Sequence, residues 1–178
     1  DRLRSRGLGD VYKRQVQGAC DMGALFNTLP GYQSFADPET NAKFAKAWGV
    51  PSIPTKPGVP LSEVPEAIME DKIKAFYIMG EDTLQTEPDI NAVKKAFEKV
   101  ELLIVQDIFM TQTAAEADIL LPATSCAEHE GVYSAADRGF QRFYKAVEPT
   151  GDVKDDWVII SELATAMGYP MHLSLIHI

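Results

Sequence analysis

Cysteine is nearly absent: the 178 residues hold only Cys20 and Cys126, far apart and in no C-x-x-C pair. Three histidines, two of them near the C-terminus, complete no zinc pattern either. A disulfide is geometrically open but nothing requires it, so reduced thiols in a cytoplasmic protein are the expectation. No apolar stretch approaches the roughly 18 to 20 residues of a membrane span, and no anchor is expected. Positive charge is also scarce, with 17 Lys and Arg against 26 Asp and Glu, a net −9. Residues 1–15 carry five cations and two carboxylates, so the remainder stands at −12. A body this acidic repels phosphate backbones, which argues against nucleic-acid binding. Missing too are G-x-G-x-x-G, a complete P-loop ("GACDMG" has no following Lys-Ser/Thr) and the G-x-S-x-G elbow.

Both ends differ from the middle. "DRLRSRGLGDVYKRQ" (1–15) and "LSLIHI" (173–178) read as adaptor-derived, non-native sequence and are set apart from fold reasoning. Between them, composition is that of an ordinary globular protein, 46% apolar and 24% charged.

The interior is legible by period. Gly18 to Gln33 reads as loop with short helical turns. Asp37 caps a helix that has Pro38 in its first turn, Phe44 with Ala47 and Trp48 on one face, and Gly49 as its stop. Four prolines between Val50 and Pro60 mark a linker or surface excursion. Ser62 can cap a short helix to about Asp71 with Val64, Ala67 and Ile68 inward. Lys74 to Met79, Leu102 to Asp107 and Asp118 to Ala123 are apolar strands. A helix from Pro88 and Asp89 to Lys99, with Ile90, Val93, Phe97 and Val100 in step, separates the first two. A short helix at Thr113 to Ala117 precedes the third. Strands apolar on both faces and separated by amphipathic helices need a parallel sheet covered on both sides. The expected class is α/β: a Rossmann-like parallel sheet with helices on both faces, part of a larger domain. Glu128 to Val147 alternates like a strand or hairpin outside that sheet. Asp155 or Asp156 caps a last helix with Trp157, Ile160, Leu163, Ala164 and Met167 inward, ended by Gly168 and Pro170.

In open parallel sheets, ligands bind beyond the carboxyl ends of the strands. This chain delivers Gly80, Glu81 and Asp82, with Thr86 one turn on, after the first strand. Gln106 and Asp107 close the second, and Pro122, Ala123 and Ser125 follow the third. Carboxylates, amides and hydroxyls on one rim suit a nucleoside, whose guanine N1–H and amino group a carboxylate can accept together, and Gly80 would let the backbone pass close. Each signal also has a plainer reading: a solvated turn with helix-capping acids at Gly80 to Asp82, a loop hydrogen bond for His129 in "EHEG", and an N-cap for Asp156.

The longer motifs "QGACDMGAL…PGYQ", "KFAKAWGV", "YIMGED.LQT", "IVQDIFMT.TA..AD.LLP", "EHEGV", "AADRGFQRF.KAVEP" and "DW.IISE.A..MGYPM" resemble one family. It is the catalytic subunit of molybdenum formate dehydrogenases, within the molybdopterin oxidoreductases, nearest the selenocysteine-type branch that feeds hydrogenase. The likeness runs from Val16 to about His172. It implies that Asp82 and Thr86 contact guanine and ribose of a bis-molybdopterin guanine dinucleotide. Gln106 and Asp107 would contact the nucleoside from the second strand, Ser125 or its neighbours Pro122 and Ala123 from the third, with Asp156 closing over the guanine. It divides the chain into a cofactor-binding part (16–125) and a segment leading toward the cluster domain (126–172). Formate as substrate, a molybdenum cofactor, a 4Fe–4S cluster and electron-transfer or hydrogenase subunits are implied for the parent enzyme. The family's cluster cysteines, its molybdenum ligand and the histidine after that ligand are missing from this chain. Cys20 falls within a matching motif and is no metal ligand, and the chain alone is expected to be catalytically inactive. The other reading is a stand-alone Rossmann-like nucleotide-binding or interaction module without redox activity.

Overall fold

The computed structural model describes residues 15–134 and 139–173, arranged in two compact units. The adaptor-like segments fall almost entirely outside the described residues. The first unit comprises Asp1–Pro60 and Val132–Arg142, the second Leu61–Gly131 and Phe143–Ile178.

In the first unit, helix α1 (Gln15–Asp21) runs into the stretch expected as loop with short helical turns. A turn follows, closed by the Leu29–Gln33 bridge. Helix α2 (Pro38–Trp48) begins where the Asp37 carboxylate accepts from the Thr40 N–H at 3.1 Å, and stops at left-handed Gly49. Its inner face is not the expected one. Ala45 is buried and Phe44 half-buried, whereas Ala47 and Trp48 face solvent. Asn41 causes the rotation, because its Nδ2 donates to the Phe35 and Ile53 carbonyls, both at 3.2 Å, and must lie inward.

The second unit carries the sheet. A 3-10 turn (Leu61–Glu63) leads into α3 (Val64–Met69), whose N-cap is Glu63 rather than the expected Ser62, and Val64, Ala67 and Ile68 are buried. Strands β1 (Ala75–Met79), β2 (Leu102–Asp107) and β3 (Ile119–Pro122) pair in parallel, in the order 1-2-3. The intervening helices are α4 (Thr83–Thr86), α5 (Ile90–Lys99) and α6 (Gln112–Ala115). Asp89 caps α5 by accepting from the Ala92 N–H at 3.0 Å. Register puts Phe76, Ile78, Leu103 and Val105 on one face, where Leu84, Val93, Phe97 and Ala114 cover them. Each fully buried aliphatic side chain there contributes roughly 1.5–3 kcal/mol. The opposite face carries Tyr77, Met79, Ile104 and Gln106. It is reached by the first turn of α7 (Asp156–Ala166), through Asp156 and Gln106.

Strands β4 (Gly131–Ser134) and β5 (Phe140–Phe143) form a separate two-stranded sheet, as the alternation predicts. In α7 the fully buried residue is Ile159, and Met167, expected inward, is 80% exposed. The helix is apolar on more than one side, so its period does not single out an inner face. In urea unfolding, Leu103→Ala is expected to cost about 2–5 kcal/mol and Met167→Ala no more than about 0.5 kcal/mol. A large loss from the Met167 change would restore the inward placement.

Candidate functional site

Two backbone hydrogen bonds continue the ladder past the strand ends. The Gly80 N–H donates to the Gln106 carbonyl at 2.8 Å, and the Ala123 N–H to the Asp107 carbonyl at 3.2 Å. They draw Gly80, Gln106, Asp107, Pro122 and Ala123 onto one rim. Gly80 has φ 63°, the left-handed region, and an added Cβ would meet nothing within 4 Å. Glycine is there for the turn, and the space beside it is open.

The later segment joins this rim through the sheet. Lys154 bridges Ala123 in parallel, its N–H donating to the Pro122 carbonyl at 3.2 Å while the Thr124 N–H donates to the Lys154 carbonyl at 3.0 Å. The Thr124 hydroxyl then donates to the Asp155 carboxylate at 3.0 Å. With Asp155 held at β3, Asp156 arrives over β2, where its Oδ1 accepts from Gln106 Nε2. Gln106 is 1% exposed, and its Oε1 accepts from the Tyr77 hydroxyl. That bond fixes which way the amide points.

Asp82 does not follow the plainer reading of a helix-capping acid. It occupies the N-cap position of α4 but makes no side-chain cap bond. Its Oδ1 instead accepts from the Thr113 N–H at 3.1 Å and the Thr113 hydroxyl at 2.7 Å, leaving Oδ2 without a partner among the described residues. Thr86 donates its hydroxyl to Glu81 at 2.5 Å. Asp107 accepts from the Ile108 and Phe109 N–H groups at 2.7 and 3.1 Å and so stiffens the turn after β2. Ser125 is held within its own loop: its N–H donates to Glu128 at 2.8 Å, and its carbonyl meets His129 Nδ1 at 2.8 Å. The Ser125 amide holds the Glu128 carboxyl below its ordinary value. His129 packs edge-on against Phe143, a structural role as the plain reading has it.

The arrangement can accept hydrogen bonds from a donor-rich, uncharged group lying over the strand ends. Sequence reasoning missed Tyr77 and Thr113, whose partners lie 29 and 31 positions away. No local pattern announces contacts that distant. Among the described residues, no cluster of three or more His, Cys, Asp or Glu could hold a metal ion, and no helix is long and apolar enough to cross a membrane.

Burial, and then the negative charge of Asp156, hold the Tyr77 hydroxyl above its ordinary value of 10.0. Because the folded-state value is raised, the stability that neutral Tyr77 contributes is complete below pH 10 and is lost as pH climbs through that raised value. Ultraviolet difference titration against Tyr77→Phe should place this phenol's midpoint above 10, with Asp156→Asn moving it part of the way back. An unshifted midpoint would mean that the ring is solvated.

Comparison with known proteins gives this rim its context. The chain is 62% identical over 160 residues to formate dehydrogenase H of Escherichia coli (strain K12), covering 90% of this chain and 22% of that protein. It is 44% identical over 158 residues to the F420-dependent formate dehydrogenase 1 subunit alpha of Methanococcus maripaludis, covering 88% of this chain and 23% of that one. Among solved structures, acetylene hydratase from Pelobacter acetylenicus superposes with a TM-score of 0.51 at 25% identity, covering 82% of this chain and 17% of the other. The chain thus spans about a fifth of the length of these relatives. Residues 7–166 match the molybdopterin oxidoreductase family, and the chain belongs to that family.

Proposed function

We propose that this chain is the part of a molybdenum formate dehydrogenase catalytic subunit that grips the guanosine end of a bis-molybdopterin guanine dinucleotide. The observation that carries the reading is Asp82: a carboxylate at a strand end, withheld from its own helix cap, with one oxygen held by Thr113 and the other open. An open carboxylate oxygen fits the paired N1–H and amino donors of guanine. Beside Gly80 the space where a Cβ would stand is open. Asp156 would bind from the start of α7, and Gln106, buried on β2 with its amide held between Tyr77 and Asp156, would orient it. Asp107 would order the backbone after β2, Thr86 would meet the ribose, and Pro122, Ala123 and Ser125 would complete the β3 side of the rim.

The cofactor, when bound, supplies the two-electron chemistry of its molybdenum. These residues anchor and orient its nucleotide end, and they take no part in proton or electron movement. In the parent enzyme this reading gives formate as the reductant and carbon dioxide as the product. The 4Fe–4S cluster, the molybdenum ligand and the electron-accepting subunits belong outside this chain. Two free thiols, Cys20 and Cys126, suit the cytoplasm.

Calorimetric titration is expected to show GDP binding in preference to ADP. Asp82→Asn should weaken GDP about tenfold or more, as the roughly 1.5–3 kcal/mol of a hydrogen bond to a charged group requires. In the full-length parent, the same substitution should lower molybdenum content and formate oxidation together. Equal GDP affinity in Asp82→Asn and the unsubstituted chain would overturn the reading.

A further inference from the structure

Thr113 lies outside the rim, yet it is among the most enclosed polar side chains described, 0% exposed. Its hydroxyl is engaged on both sides. The Leu84 N–H donates to Thr113 Oγ1 at 2.9 Å, and that same hydroxyl donates to Asp82 Oδ1 at 2.7 Å. A threonine hydroxyl has one proton to give. With Leu84 occupying a lone pair, the proton is committed to Asp82. The Thr113 N–H adds a second donor on the same oxygen, at 3.1 Å.

The alternative for this carboxylate is local. An aspartate at an N-cap position ordinarily accepts from the first turn of its own helix, as Asp37 and Asp89 do here. Asp82 does not. The difference is the pair of donors that α6 sets opposite it, and α6 is itself fixed by the Thr111 hydroxyl, which accepts from the Ala114 N–H at 3.0 Å.

We infer that Thr113 is a positioning residue for purine recognition: it holds Asp82 away from the α4 cap and presents Oδ2 to the 2-amino and N1–H donors of a guanine base. The inference rests on the nucleotide-binding reading above and assigns a determinant of base specificity to a side chain that never touches the ligand. It makes specificity depend on a hydroxyl proton rather than on volume. Serine at position 113 therefore suffices, and valine, of the same shape, does not.

The probes are GDP and IDP, which differ only in the 2-amino group, titrated calorimetrically into the full chain, with melting temperature followed in parallel. Thr113→Val should reduce the GDP-over-IDP preference at least fivefold, toward that of Asp82→Asn. Thr113→Ser should stay within twofold of the unsubstituted chain. A merely structural threonine would lower the melting temperature of the valine variant and leave the preference intact, and that result overturns the inference. Should the valine variant not fold, Thr113→Cys, with its weak S–H donor, must give an intermediate preference; an unchanged one is equally fatal. If instead the unsubstituted chain does not distinguish GDP from IDP, or Asp82→Asn keeps the distinction, the nucleotide reading itself fails, whatever Thr113 does.

Discussion

The backbone hydrogen bonds that carry the parallel ladder one step beyond its strands are the constraint on which the site depends. Gly80 N–H to Gln106 and Ala123 N–H to Asp107 leave three loops emerging from one edge in fixed register. Parallel strands make this arrangement unavoidable, because every carboxyl end lies on the same side of the sheet. The apolar packing of Leu103, Val105, Val93 and Phe97 supplies the stability. The ladder converts it into placement. Lys154 shows the same economy: by bridging Ala123 it brings Asp155 and Asp156 to the rim from a segment remote in sequence.

Much of this could be read before any coordinates. Leu102–Asp107 is apolar at every position but its last two, and those two polar residues mark where the strand leaves the core. Asp89 and Gly49 announce helix boundaries through capping chemistry that is local by nature. The failures share a cause. Trp48 and Met167 look like core residues by type, but which side of a helix faces inward was settled by a half-buried, hydrogen-bonded Asn41 in one case and blurred by an all-round apolar helix in the other. The rim residues were legible from their position after strands. Their state was not: nothing adjacent to Asp82 in sequence reveals that Thr113 holds it, and nothing beside Gln106 reveals Tyr77.

The rim carboxylates are all held by neutral donors. Asp82 has the Thr113 hydroxyl and amide, Glu81 the Thr86 hydroxyl, Asp155 the Thr124 hydroxyl, Asp107 two backbone amides and Asp156 the Gln106 amide. The ion pairs Lys74–Glu101, Lys99–Asp71 and Lys154–Glu162 involve none of these five carboxylates. The distinction matters chemically. A lysine would fix a carboxylate and also compete with a ligand's N–H groups for it, whereas a hydroxyl or amide fixes it and leaves its charge to act on the next donor.

The same charge limits what the rim can hold. Five carboxylates on adjoining loops would repel a pyrophosphate, and a helix as short as α4 contributes little positive potential to offset them. They favour an uncharged, donor-rich group, as the purine edge and ribose hydroxyls of the proposed ligand are. On the proposed reading, the phosphates would be met by groups outside this rim, and the acidic surplus of the chain as a whole points the same way. If the proposed reading holds, specificity for the base and affinity for the phosphates are physically separable. Substitutions at Asp82 or Thr113 should change which nucleotide is chosen more than how strongly its phosphates are held.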